Sequence, residues 1–110
     1  MRWPLWRVAV AERSMEPALS PGDWLLVWRG LRPGPVVISP GQLAIAQHPA
    51  LPGTLLVKRV GWREAGGWFL TSDNPGAGAV DSFRFGPVPP GLIVGRVVAR
   101  YWPLRRRQRR

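Results

Sequence analysis

Glycine and proline divide this chain into short pieces. Of its 110 residues, 13 are Gly and 13 are Pro. The most extended apolar candidates they leave are WLLVW (24–28) and LIVG (92–95). Proline removes a backbone donor and fixes φ, and glycine supplies the positive φ of tight turns. Long helices are therefore ruled out, and short strands joined by turns are favoured. Strand patterns fall at 8–12, 24–29, 36–39, 42–47, 54–60, 68–72 and 92–102, the last with a bend expected at Gly95. The segment 61–67 reads as a hairpin connection. The expected fold is all-β: a small coiled or barrel-like sheet with short helical turns, one domain over 1–104 and a basic tail over 105–110. The long Gly/Pro loop at 73–91 is of a length usually kept for function.

The formal net charge is +10, and five of the positive charges lie in RRRQRR (105–110). Such a run is either a solvated tail or a weak contact for anionic lipid or nucleic acid. Without it the body is only mildly basic. The chain has no cysteine and one histidine. A disulfide framework and a thiolate metal site are thereby excluded, and a reducing, cytoplasmic location fits. No apolar stretch approaches the roughly 18–20 residues of a membrane helix. Trp3 and Trp6, with Arg2 and Arg7, offer a surface contact with lipid as an alternative.

Fifteen of the sixteen basic residues are Arg, and the sixteenth is Lys58. Arginine does not lose its proton in practice, whereas a buried lysine does. In the strand TLLVKRV, alternation puts Lys58 on the face of Leu56 and Val60, with Leu55, Val57 and Arg59 on the other. Burial beside two apolar side chains favours the neutral amine, which can serve as a general base. Such a base needs a hydroxyl to activate. The serines available are Ser14, Ser20, Ser39, Ser72 and Ser82. Ser14 stands apart in ERSMEPALSPGD, between Arg13 and Met15 in a loop of turn formers, where it reads either as a turn or cap residue or as a nucleophile. His48, followed by proline in a turn, is a poor base, and no G-x-S-x-G elbow occurs.

The segments RSMEPALSPGD (13–23), LLVKRV (55–60), SDNPGAGAVDSFRFG (72–86) and LIVGRV (92–97) resemble, in that order, the signal-peptidase-like serine-lysine proteases, relatives of the LexA-type self-cleaving repressors. The resemblance spans about residues 8–101. It implies Ser14 as nucleophile, Lys58 as general base and the Ser14 backbone N–H as an oxyanion donor. It also implies that Met15 and Pro17 shape the turn, and that Asp73, Asn74, Asp81 and Ser82 brace the site. Four positions depart from that pattern. Ser72 replaces a glycine before Asp73. Ala79 replaces a serine that bonds the lysine amine. Phe83, with Arg84 beside it, replaces the arginine after Asp-Ser. Glu12 stands where some relatives carry a second oxyanion donor, and an ionised carboxylate cannot donate.

Among these proteases the chain is most similar to the small nickel-type superoxide dismutase maturation proteases, notably in LAIAQHP and GWFLTSDNP. The resemblance implies a precursor polypeptide as partner, the nickel superoxide dismutase proenzyme, with one N-terminal propeptide removed and no cofactor or metal in the protease. Two alternatives are kept: a signal-peptidase-like protease held at a membrane surface, and a non-catalytic binding domain on the same scaffold. An extended substrate would lie along a sheet edge, with Trp24, Trp28, Trp62 and Trp68 either lining its groove or packing on the sheet.

Overall fold

The computed structural model describes residues 3–32 and 34–102. Six strands form: β1 (Leu5–Ala9), β2 (Trp24–Trp28), β3 (Leu43–Gln47), β4 (Leu55–Glu64), β5 (Gly67–Thr71) and β6 (Ile93–Trp102). They make one antiparallel sheet in the order β1-β2-β6-β3-β4-β5. The all-β class read from the sequence is the class observed. The sheet stays open, with β1 and β5 as its edges, so the barrel-like variant is not realised. Helix among the described residues is confined to α1 (Ser82–Phe85) and two 3-10 turns, Pro75–Ala77 and Pro90–Leu92. No helix of the described residues is long and apolar enough to cross a membrane. The arginine tail at 105–110 lies outside the described residues.

Three strand expectations need correction. The first strand begins earlier than residue 8, at Leu5. Residues 36–39 form no strand, although Val36 and Ile38 are buried. Pro35 and Pro40 bracket them and can donate nothing to a ladder. The supposed connection at 61–67 is mostly strand, because β4 runs on to Glu64. Only Ala65 and Gly66 make the turn, both at positive φ (50° and 79°). Two-residue turns of that handedness match the twist of the flanking strands.

The core has two parts, and β3 separates them. Ala44 and Ala46 join Val36, Ile38, Val60, Leu70, Val88 and Ile93. Ile45 joins Val10, Met15, Leu19, Leu25 and Val27. Alternate residues of a strand face opposite ways, so a strand buried on both faces reads as an unbroken apolar run. Gly95 of β6 pairs with Ile45, and Val94 is the extra residue of a bulge. A Cβ at Gly95 would collide with the Val27 side chain. Here glycine permits β6 to pass close against β2.

The connection between β1 and β2 is a closed loop. The Val10 N–H donates to the Asp23 carbonyl at 2.8 Å, and the Gly22 N–H returns to Val10 at 2.9 Å. Within it the Leu19 N–H donates to Met15 at 2.9 Å, closing one helical turn. The buried side chains of Met15 and Leu19 fix that turn to the core. Ser14 is carried at its start.

Candidate active site

The loop and β4 bring together two residues 44 positions apart. Lys58 Nζ donates to Ser14 Oγ at 2.9 Å. Both side chains are withdrawn from water, Lys58 at 1% exposure and Ser14 at 5%. Lys58 lies on the face of Leu56 and Val60, as alternation requires, and both of those neighbours are buried. Burial lowers the Lys58 pKa below its ordinary value, and the carboxylates of Glu12 and Asp81 push it part of the way back. Desolvation dominates because an ammonium in an apolar surrounding loses its hydration.

A second hydroxyl completes the amine's surroundings. Lys58 Nζ also donates to Ser72 Oγ at 3.1 Å. Sequence reasoning counted Ser72 among the available serines and as a replacement for glycine, and left the amine's partner open because residue 79 is alanine. Ser72 lies immediately after β5, and the path the chain takes on leaving that strand brings its hydroxyl to Nζ.

The four residues expected to brace the site make separate contacts. The Asn74 N–H donates to the Ser14 carbonyl at 2.7 Å, and Asn74 Nδ2 donates to the Arg13 carbonyl at 3.1 Å. The Asp73 N–H points at Met15 Sδ, 3.5 Å away. Asp73 also pairs with Arg59, with Nη2 to Oδ2 at 2.6 Å. Arg59 follows Lys58, so this pair ties β4 to the long loop. Asp81 Oδ1 accepts from the Phe83 N–H at 3.0 Å and caps α1. The buried Ser82 Oγ accepts from the Leu70 N–H at 2.8 Å and fixes α1 to β5. Phe83, where an arginine was expected, is exposed and sets its ring edge-on to Phe69. Pro17 follows a cis peptide bond in the Ser14 loop.

Two hollows meet at Ser14. A cleft of about 290 Å³ runs between residues 8–12 and residues 53 and 55–57, with Ser14 and Met15 at its end. A second hollow of about 300 Å³ is lined by Glu12, Arg13, Ser14, Gly78, Ala79 and Val80. The tryptophans do not line the cleft. Trp24 lies under the Arg7 guanidinium, Trp62 stacks on Phe69, Trp68 lies under Arg63, and Trp28 packs on the core. His48 stands apart as well. Its Nδ1 accepts from the Ala50 N–H at 3.0 Å inside the β3–β4 turn.

The Ser14 N–H hydrogen-bonds to no described residue. A neutral amine within 3 Å of a hydroxyl can take its proton, and a free N–H on the same residue can stabilise the resulting oxyanion. Among the described residues no three His, Asp or Glu side chains gather where they could share a metal ion. No protein-family model matches the chain, and no curated protein matches it.

Proposed function

We propose that the chain is a serine endopeptidase with a Ser14–Lys58 dyad. The observation that carries this reading is the buried 2.9 Å contact between the lone lysine and Ser14. Neutral Lys58 takes the Ser14 proton as the hydroxyl attacks a peptide carbonyl. The oxyanion is held by the Ser14 N–H, and protonated Lys58 gives its proton to the leaving amine. Lys58 then activates the water that hydrolyses the acyl-enzyme. Ser72 and Asn74 keep the amine and the nucleophile loop in register.

The cleft favours an extended substrate. β1 is an edge strand, and residues 8–12 form one wall of the cleft beside that edge. A peptide laid there gains main-chain hydrogen bonds as well as apolar contacts. The reaction class is removal of an N-terminal propeptide or leader from a precursor. The resemblance of the motifs nominates the nickel superoxide dismutase precursor, and a cytoplasmic setting suits that role.

The test is incubation of the purified protein with that precursor, followed by N-terminal sequencing of the product. Wild type is expected to cut at one bond. Ser14→Ala and Lys58→Met are expected to be folded, by circular dichroism, and inert. Lys58→Arg keeps the charge and removes the base, and is also expected to be inert. Cleavage by Ser14→Ala would overturn the reading.

A further inference from the structure

We propose that Glu12 is a subsite for a cationic side chain on the substrate residue beside the scissile bond. This rests on the peptidase reading and adds to it a substrate class.

The placement is geometric. Glu12 and Ser14 are the two residues shared by both hollows, the 290 Å³ cleft and the 300 Å³ hollow beyond it. A chain cut at Ser14 and running from one hollow into the other must pass Glu12. The cleft is otherwise lined by Val, Ala, Leu, Met, Gly and Ser, so Glu12 is its single charged side chain.

Glu12 feels the Lys58 charge, but its carboxylate makes no direct contact in the cleft. Asp23 accepts from the Ser20 N–H, Glu64 from Trp62 Nε1, Asp73 from Arg59 and Asp81 from the Phe83 N–H. Glu12 is exposed and makes no hydrogen bond or ion pair with a described residue. The half-buried Glu16 also has no side-chain hydrogen bond or ion pair, but it lines neither hollow. With no hydrogen bond or ion pair of its own, the Glu12 carboxylate is open to a cation on a bound substrate.

Glu12 acts on the base as well. Lys58 is faced by the hydroxyls of Ser14 and Ser72 and by the charges of Glu12 and Asp81. Arg13 lies on the second hollow, and the Arg59–Asp73 pair flanks the loop. The Glu12 charge favours the ammonium form, which cannot accept the serine proton. A cation seated on Glu12 offsets that field and leaves the amine freer to act. The preference is therefore expected in kcat as well as in KM.

The experiment is digestion of a random decapeptide library by wild type, Ser14→Ala, Glu12→Gln and Glu12→Lys, with products read by mass spectrometry and folding checked by circular dichroism. Ser14-dependent cuts by wild type are expected to be enriched in Lys or Arg at one position beside the bond by roughly two- to fivefold, the range of an exposed ion pair. Glu12→Gln is expected to lose that enrichment, and Glu12→Lys to favour Asp or Glu there. Ser14-dependent cutting with no basic preference, or a preference that survives Glu12→Gln, overturns the subsite and leaves the peptidase reading standing. Absence of any Ser14-dependent cut overturns both.

Discussion

The Asn74 backbone N–H donates to the Ser14 carbonyl at 2.7 Å, so a residue sixty positions later sets where the hydroxyl stands. The Asn74 side chain adds a bond to the Arg13 carbonyl. Asn74→Ala keeps the first contact and removes the second. Stability is expected to fall by about 1 kcal/mol, the net worth of one such hydrogen bond. Cleavage rate is expected to fall by roughly tenfold or more, since small misplacements of a nucleophile are costly. Paired chemical denaturation and steady-state kinetics check both.

Ser72→Ala removes an acceptor from Lys58 Nζ and leaves Ser14 in place. The expected result is a kcat loss of roughly ten- to hundredfold with KM little changed. Ser72→Thr is expected to restore much of the rate, because it returns the hydroxyl. A merely structural role would instead shift thermal stability and leave kcat alone.

The rate is expected to rise with pH as Lys58 loses its proton, with the acid limb below the lysine's ordinary value of 10.5 because burial lowers its pKa. The Glu12 charge opposes that lowering. In Glu12→Gln the limb is therefore expected to move further toward acid. A pH profile of kcat for both proteins decides it, and a shift toward base would contradict the assignment of Lys58 as the base.

Burial of Lys58 is also a stability statement. Below its folded pKa the protein bears the full cost of an ammonium in the core. As pH rises from that lowered value toward 10.5, the unfolded chain holds more protons than the folded one, so stability increases. The slope is at most about 1.4 kcal/mol per pH unit. Lys58→Met is expected to be more stable than wild type near neutrality by about 1–2 kcal/mol. That gap is expected to narrow in alkaline solution. Denaturant midpoints across pH test it.

Gly95→Ala places a methyl group against Val27, where β6 crosses close to β2. The expected loss is about 1–3 kcal/mol from overpacking. The companion change Val27→Ala in the same chain is expected to recover part of it, which a double-mutant cycle measures.

The strands that pack on both faces, or that alternate cleanly, were legible from pattern alone. LLVKRV assigned the Lys58 side of β4 correctly because Leu56 and Val60 are buried beside it. VVIS at 36–39 misled because burial and β-branching mimic a strand, while the prolines beside it prevent ladder pairing. Open versus closed architecture was not legible, since closure depends on how edges meet and not on any one segment. Lys58 could be nominated from a residue count, one lysine among sixteen basic groups, whereas the choice of Ser14 among five serines leaned on the motif resemblance. The role of Ser72 could not, because its approach to Nζ depends on the path the chain takes on leaving β5.

The strand order has a further meaning for assembly. Ser14 belongs to the half built from β1 and β2, and Lys58 to the half built from β3, β4 and β5; among the described strands β6 alone pairs with both halves. The ladder that aligns the two halves is therefore a single strand. Parting β6 from either neighbour would pull the hydroxyl and the amine out of register while leaving both side chains chemically intact.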